Sequence, residues 1–134
     1  PELVQAAVLF APVSSDQREN FDRWLSRRPE TAEKIQQRFG SPEDNPAFWD
    51  GISAMTFLSD IEAPLQLHHG TVDESVPIAW SDRLDQILRE KERQIEYYRY
   101  PGEPHEFINA WPTVMDRTVT LFDSIFSPSS VSKE

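Results

Sequence analysis

Residues 68–77 read HHGTVDESVP and sit between an apolar run and an amphipathic one. The run before them, Leu65 to His69, opens after Pro64 and closes at Gly70, which predicts a strand. After them, Pro77 to about Lys91 predicts a helix with Trp80, Leu84, Ile87 and Leu88 on one face. Gly70 suits a sharp turn and Pro77 a helix start, and neither explains Asp73 between them. The simplest use for that carboxylate is to form the turn or cap the helix. A chemical use depends on what the rest of the chain brings to the same place.

Downstream, Ile95 to Tyr100 predicts another strand, stopped by Pro101-Gly102. A last helix is expected from about Pro112 to Phe126, with Met115, Val119, Phe122 and Phe126 inward. Upstream, residues 4–10 form a nearly continuous apolar run ending before Pro12, as in a strand buried on both faces. From Glu19 to Gly40 the pattern is helical: Phe21, Trp24 and Leu25 share a face, and a second segment starts at Pro29. Residues 41–64 mix turn residues with aromatics, and read as short helical turns held by Phe48, Trp49 and Phe57. Strands alternating with helices imply parallel pairing through right-handed crossovers. The expected architecture is α/β, with about three parallel strands and crossover helices over residues 1–126, and a flexible tail at 127–134. So small a sheet leaves an edge of unpaired backbone, which predicts self-association or pairing with further strands.

Composition narrows the function. The 134 residues suffice for one modest core. A formal charge of −10, with no cluster among the 13 basic residues, argues against nucleic-acid binding. With no cysteine, disulfides, thiolate catalysis and Cys-based zinc sites are ruled out; the compartment stays open, with the cytoplasm favoured. No apolar run approaches the roughly 18 residues of a membrane span, so no membrane partner is expected, and no signal peptide opens the sequence. His68 and His69 are adjacent in a strand and point to opposite faces, so no metal is expected there, and no cofactor elsewhere.

Ligands of open parallel sheets bind beyond the carboxyl ends of the strands. Asp73 follows one such end and His105 the next, 32 positions apart, which is one strand–helix–strand unit. That spacing puts both loops side by side on one rim. A carboxylate beside an imidazole is the acid–base half of a serine-hydrolase relay: the acid fixes the ring's tautomer and stabilises the imidazolium. The bland alternatives are a turn-forming Asp73 and a surface loop His105. Glu74, next to Asp73, could serve as the acid in its place, and Glu103 is expected to be solvated.

Residues 63–77, APLQLHHGTVDESVP, followed by residues 98–107, YRYPGEPHEF, resemble the C-terminal part of α/β-hydrolases of the prolyl oligopeptidase type. The resemblance extends over about Ser53 to Phe126, and more loosely over Val4 to Phe10. It implies Asp73 as triad acid, His105 as triad base, and a peptide or ester substrate for the parent protein. Pro104 departs from the small residue the family places before the His, and so bears on the aim of His105. The family's nucleophile sits in a G-x-S-x-G elbow between strand and helix. Here the nearest match is Gly51-Ile52-Ser53-Ala54-Met55, which lacks the second Gly and follows no buried strand; Ser14 and Ser15 follow a strand without Gly neighbours. The expectation is therefore a fragment of a serine hydrolase, inactive alone, with the nucleophile-bearing half absent. A non-catalytic interaction module built on the same half-fold is the alternative, and a small self-associating esterase a third. Trp24, Phe48, Trp49 and Phe57 are placed either to line a substrate pocket or simply to pack the connecting region.

Overall fold

The computed structural model describes residues 4–25 and 27–127. Beyond Ser127, the expected tail lies outside the described residues. Three parallel strands, β1 (Ala7–Phe10), β2 (Leu65–Gly70) and β3 (Ile95–Tyr100), form one sheet in that order. Between β1 and β2 run α1 (Gln17–Asn20), which continues as a π-helical turn over Phe21–Leu25, then α2 (Pro29–Phe39), α3 (Pro46–Ile52) and a 3₁₀ segment at Ala54–Asp60. Helix α4 (Ile78–Glu90) joins β2 to β3, and α5 (Trp111–Phe126) follows β3. Among the described residues no helix is long and apolar enough to cross a membrane.

All six residues of β2 are buried, as a central strand with a neighbour on each side requires. Odd-numbered Leu65 and Leu67 pack with Leu84 and Leu88 of α4 and with Leu58, forming one core layer. On the opposite face Tyr100, Ala11, Phe107 and Val114 of α5 form the second. The first strand is shorter than its apolar run suggests. Only residues 7–10 pair, and Phe10 stays 40% exposed, because β1 has β2 as its one partner among the described residues. Helix α5 also turns a different face inward from the expected one. Val114 and Thr118 are buried, while Val119 and Phe126 are exposed. Of the aromatics in the crossover, Trp49 is buried and Phe48 half-buried, whereas Phe57 is exposed; Leu58 takes the core position beside it.

The sheet face under α5 carries polar side chains, and α5 meets it with Arg117 and Thr118 beside the apolar Val114. His68, fully buried, donates from Nε2 to Gln66 Oε1 at 2.8 Å and accepts at Nδ1 from the Tyr100 hydroxyl at 2.8 Å. That hydroxyl accepts from Arg117 at 3.1 Å, and Gln66 Nε2 donates to Glu96 at 2.9 Å. The chain of bonds is complete only with a neutral ring. Burial, and secondarily the Arg117 charge, push the imidazole down to about 4 from its ordinary 6.5, against the Glu96 carboxylate. Below pH 6.5 the unfolded state takes up a proton that the folded ring refuses until about pH 4. Stability should therefore be fully present above pH 6.5 and fall by about 3 kcal/mol across that interval. Urea melts at pH 7, 5 and 4 measure it; a midpoint independent of pH would show that the folded ring takes up its proton as readily as the unfolded one.

Candidate active site

The loops after β2 and β3 leave the same rim of the sheet and are sewn together. Thr71 N donates to Tyr100 O at 2.9 Å, Gly102 N to Thr71 Oγ1 at 2.9 Å, and Val72 N to Glu103 O at 3.2 Å. Gly102 takes φ 73°, the left-handed conformation of a tight turn. Gly70, expected to serve a sharp turn, serves a close approach instead. It is the last residue of β2, and a Cβ there would lie 2.2 Å from Glu103 O and 2.5 Å from Pro104 O. The backbone carrying His105 passes directly over it.

This sewing brings Asp73 and His105 together. His105 Nδ1 lies 2.8 Å from Asp73 Oδ2. Facing a carboxylate, Nδ1 carries the proton, which leaves Nε2 bare. The Asp73 side chain is fully buried, whereas that of His105 is 39% exposed. The other carboxylate oxygen, Oδ1, accepts from Ser75 N and Val76 N, each at 2.8 Å. Asp73 thus meets two partners at once: Oδ1 accepts the amides of the turn before α4, and Oδ2 faces the imidazole. Burial alone would raise its pKa, but the Val76 amide, the His105 bond and the Ser75 amide outweigh it and hold the carboxyl below its ordinary 3.8. Its contribution to stability is therefore present above about pH 4 and lost only in stronger acid, below the window in which His68 titrates.

Pro104 does not turn His105 away; every peptide bond is trans among the described residues, and Phe107 N closes a turn onto Pro104 O at 3.2 Å. Phe107 adopts φ 51°, which its ring sustains by burial edge-on against Tyr100 at 5.5 Å. Glu103 corrects the expectation of a solvated carboxylate. It is 7% exposed and accepts from Asn109 N at 2.9 Å, bracing the two ends of the loop that carries His105. The Asn109 amide, against the cost of burial, holds its carboxyl below the usual range. Glu74 is exposed and takes no part.

The sequence missed His69. Its side chain is fully buried, with Nδ1 2.7 Å from Ser81 Oγ on α4 and Nε2 3.1 Å from both Val76 O and Asp73 Oδ2. His68 faces the other side of the sheet, so the pair shares no ion, and among the described residues no cluster of metal-ligating side chains forms. The only advance signal for His69 was its place in the strand, four residues before the acid.

Of Ser53, Ser14 and Ser15, the first two are buried with their hydroxyls engaged, and Ser15 is half-buried in the bend before α1, with no glycine beside it. Ser53 is 1% exposed, donates to Trp49 O at 2.7 Å and accepts from Gln17 N at 2.9 Å, tying α3 to α1. Ser14 is 3% exposed, and its hydroxyl is shared among Glu19, Asp16 N and Arg83. Trp24, Phe48 and Trp49 line a cavity of about 360 Å³ with Phe21 and Phe39, but Phe57 does not, and neither Asp73 nor His105 borders it. Arg23, beside Trp24, donates to Ser75 O at 2.9 Å and so fastens this region to the Asp73 turn.

Solved structures of similar shape are hydrolases. The chain is similar to an esterase from Thermogutta terrifontis with propionate bound, at TM-score 0.62 and 19% identity, covering 95% of this chain and 46% of that one. It is similar to an acylaminoacyl peptidase from Pyrococcus horikoshii, at TM-score 0.63 and 16% identity, covering 100% of this chain and 21% of that one. A puromycin hydrolase aligns at TM-score 0.68 and 18% identity, over 93% of this chain and 19% of that one. The chain thus spans less than half the length of each, and at these identities what they share is the fold, here the C-terminal portion of an α/β-hydrolase. Comparison with curated proteins returns no match. Residues 5–125, nearly the whole chain, match the model of the prolyl oligopeptidase family, and the chain belongs to that family.

Proposed function

We propose that this chain supplies the acid and the base of a serine-hydrolase triad, Asp73 and His105, to a nucleophile carried outside these residues. The 2.8 Å contact between His105 Nδ1 and Asp73 Oδ2 carries the reading. With Nδ1 protonated, the half-exposed ring presents a bare Nε2 to an incoming serine hydroxyl. His105 takes that proton as the oxygen attacks a carbonyl carbon, and Asp73 stabilises the imidazolium. The same proton then passes to the leaving amine or alcohol, giving an acyl-enzyme that water, activated by the same ring, hydrolyses. The substrate class is a peptide or an ester.

Among the described residues no serine sits between two glycines at a strand-to-helix turn, so the 134 residues alone should be inactive: nucleophile and oxyanion donors act with the relay as a unit. The open edge of β1, with exposed Val4 and Phe10, would then pair with the strands of the missing half, or with another copy when that half is absent. A fluorophosphonate probe tests the assignment. It should leave the 134-residue chain unlabelled and should label a longer chain containing the upstream serine, and light scattering should find only the shorter one associated. Stoichiometric labelling of the 134-residue chain at Ser53 or Ser14 would overturn it, and a longer chain that takes no label would favour a non-catalytic interaction module.

A further inference from the structure

We propose that His69 is a positioning residue for the relay: a second imidazole that fixes the Asp73 carboxylate in the plane His105 needs. The inference rests on the triad reading above. His69 Nε2 faces two groups that can only accept, Val76 O and Asp73 Oδ2, each at 3.1 Å, so it carries a proton and is a donor. Its Nδ1 is then bare and accepts the Ser81 hydroxyl at 2.7 Å. Ser81 is fully buried on α4, so the ring is anchored to the helix at one end and shared between the turn and the carboxylate at the other.

The consequence lies in which oxygen it approaches. Oδ1 is held by two backbone amides of the 73–76 turn, which fix one end of the carboxylate. Oδ2, the oxygen that meets His105, accepts from no backbone amide among the described residues, and the His69 ring, which hydrogen-bonds Val76 O, stands in polar contact with it at 3.1 Å. With both ends held, the carboxylate cannot swing when the positive charge forms on His105. A buried, preorganised acceptor stabilises that charge without rearranging at the moment of reaction. Metal binding, the usual suspicion for adjacent histidines, has no part, since both nitrogens of His69 are already engaged within the protein.

Three variants in a longer chain with the nucleophile test this, alongside Asp73→Asn as the control for the relay itself. His69→Phe keeps a flat ring and removes both nitrogens. It should lower kcat about tenfold at unchanged KM, the loss expected when a polar neighbour of a charged group is removed. The proton NMR resonance of His105 Nδ1–H should broaden through exchange as the carboxylate loosens. His69→Gln returns an N–H near the position of Nε2 and should recover both signals. A folded His69→Phe variant with unchanged kcat and an unchanged resonance overturns the inference. Should that variant not fold, Ser81→Ala decides: it keeps the ring but frees its anchor, and should lower kcat about threefold. No change there also overturns it. If Asp73→Asn retains full activity, the relay has failed and His69 with it. If Asp73→Asn is inactive while the His69 and Ser81 variants behave as the parent, the relay stands and only the positioning role falls.

Discussion

A longer chain carrying the nucleophile is expected to lose about 10⁴-fold of its kcat on Asp73→Asn, with KM little changed. The geometry dictates why so small a change costs so much. Ser75 N and Val76 N both donate to Oδ1 at 2.8 Å, so a carboxamide must place its oxygen there. Its NH₂ then occupies the position of Oδ2 and turns an N–H toward His105 Nδ1. The ring can accept it only by surrendering the Nδ1 proton, which moves the proton to Nε2. A ring protonated at Nε2 cannot take a proton from serine. The fold itself survives, because the turn keeps both amide bonds to residue 73. Steady-state kinetics with far-UV circular dichroism as a folding control measure the effect. A loss below tenfold in a well-folded variant would mean that His105 takes its orientation from some other group, and the proposed relay would not stand.

What the sequence made legible was set by punctuation. Pro64 and Gly70 bracket β2, Pro101-Gly102 stops β3, and Pro77 precedes α4, so these elements and the crossover between them follow from local rules. Their parallel pairing then forces residues 73 and 105 onto one rim, and the 2.8 Å contact is the product of that topology. Helix α5 defeated the same reasoning. Val114, Met115, Val119, Leu121, Phe122, Ile125 and Phe126 surround much of its circumference, so periodicity alone selects no stripe. The sheet decides, because the face it offers carries Gln66, His68 and Tyr100. That face receives Arg117, whose guanidinium lies 4.0 Å over Tyr98, and the neighbouring Thr118. A polar patch inside a core is invisible until the strands are paired.

The buried polar groups near the rim were hidden for a related reason. Glu103 reads as a surface acid in a loop, and its burial follows from closing residues 103–109 onto themselves. His69 reads as one of two strand histidines, and its proximity to Asp73 follows from the tight 73–76 turn folding back over β2. In both cases sequence spacing supplied the residue type, and three-dimensional closure supplied the partner.

Gly70→Ala should be the most damaging single methyl addition in the chain, lowering stability by about 3 kcal/mol, at the upper end of what overpacking costs. The added carbon would stand 2.2 Å from Glu103 O, 2.5 Å from Pro104 O and 2.7 Å from Glu103 C, all backbone atoms that no rotamer change can clear. Relief requires lifting the 103–104 segment, which breaks the 3.2 Å bond from Val72 N to Glu103 O and carries His105 off Asp73. Gly102→Ala separates this from ordinary glycine strain. Gly102 has φ 73° and open space where a Cβ would sit, so alanine there pays only the left-handed penalty, about 1 kcal/mol, and leaves His105 in place. Urea melts give both stabilities, and the His105 Nδ1–H resonance reports the bond to Asp73, lost in the first variant and kept in the second. Equal costs for the two, or a Gly70→Ala protein that keeps the resonance, would mean that the two loops are not pressed together as the 103–104 backbone implies. The juxtaposition of acid and base would then owe little to the small residue beneath them.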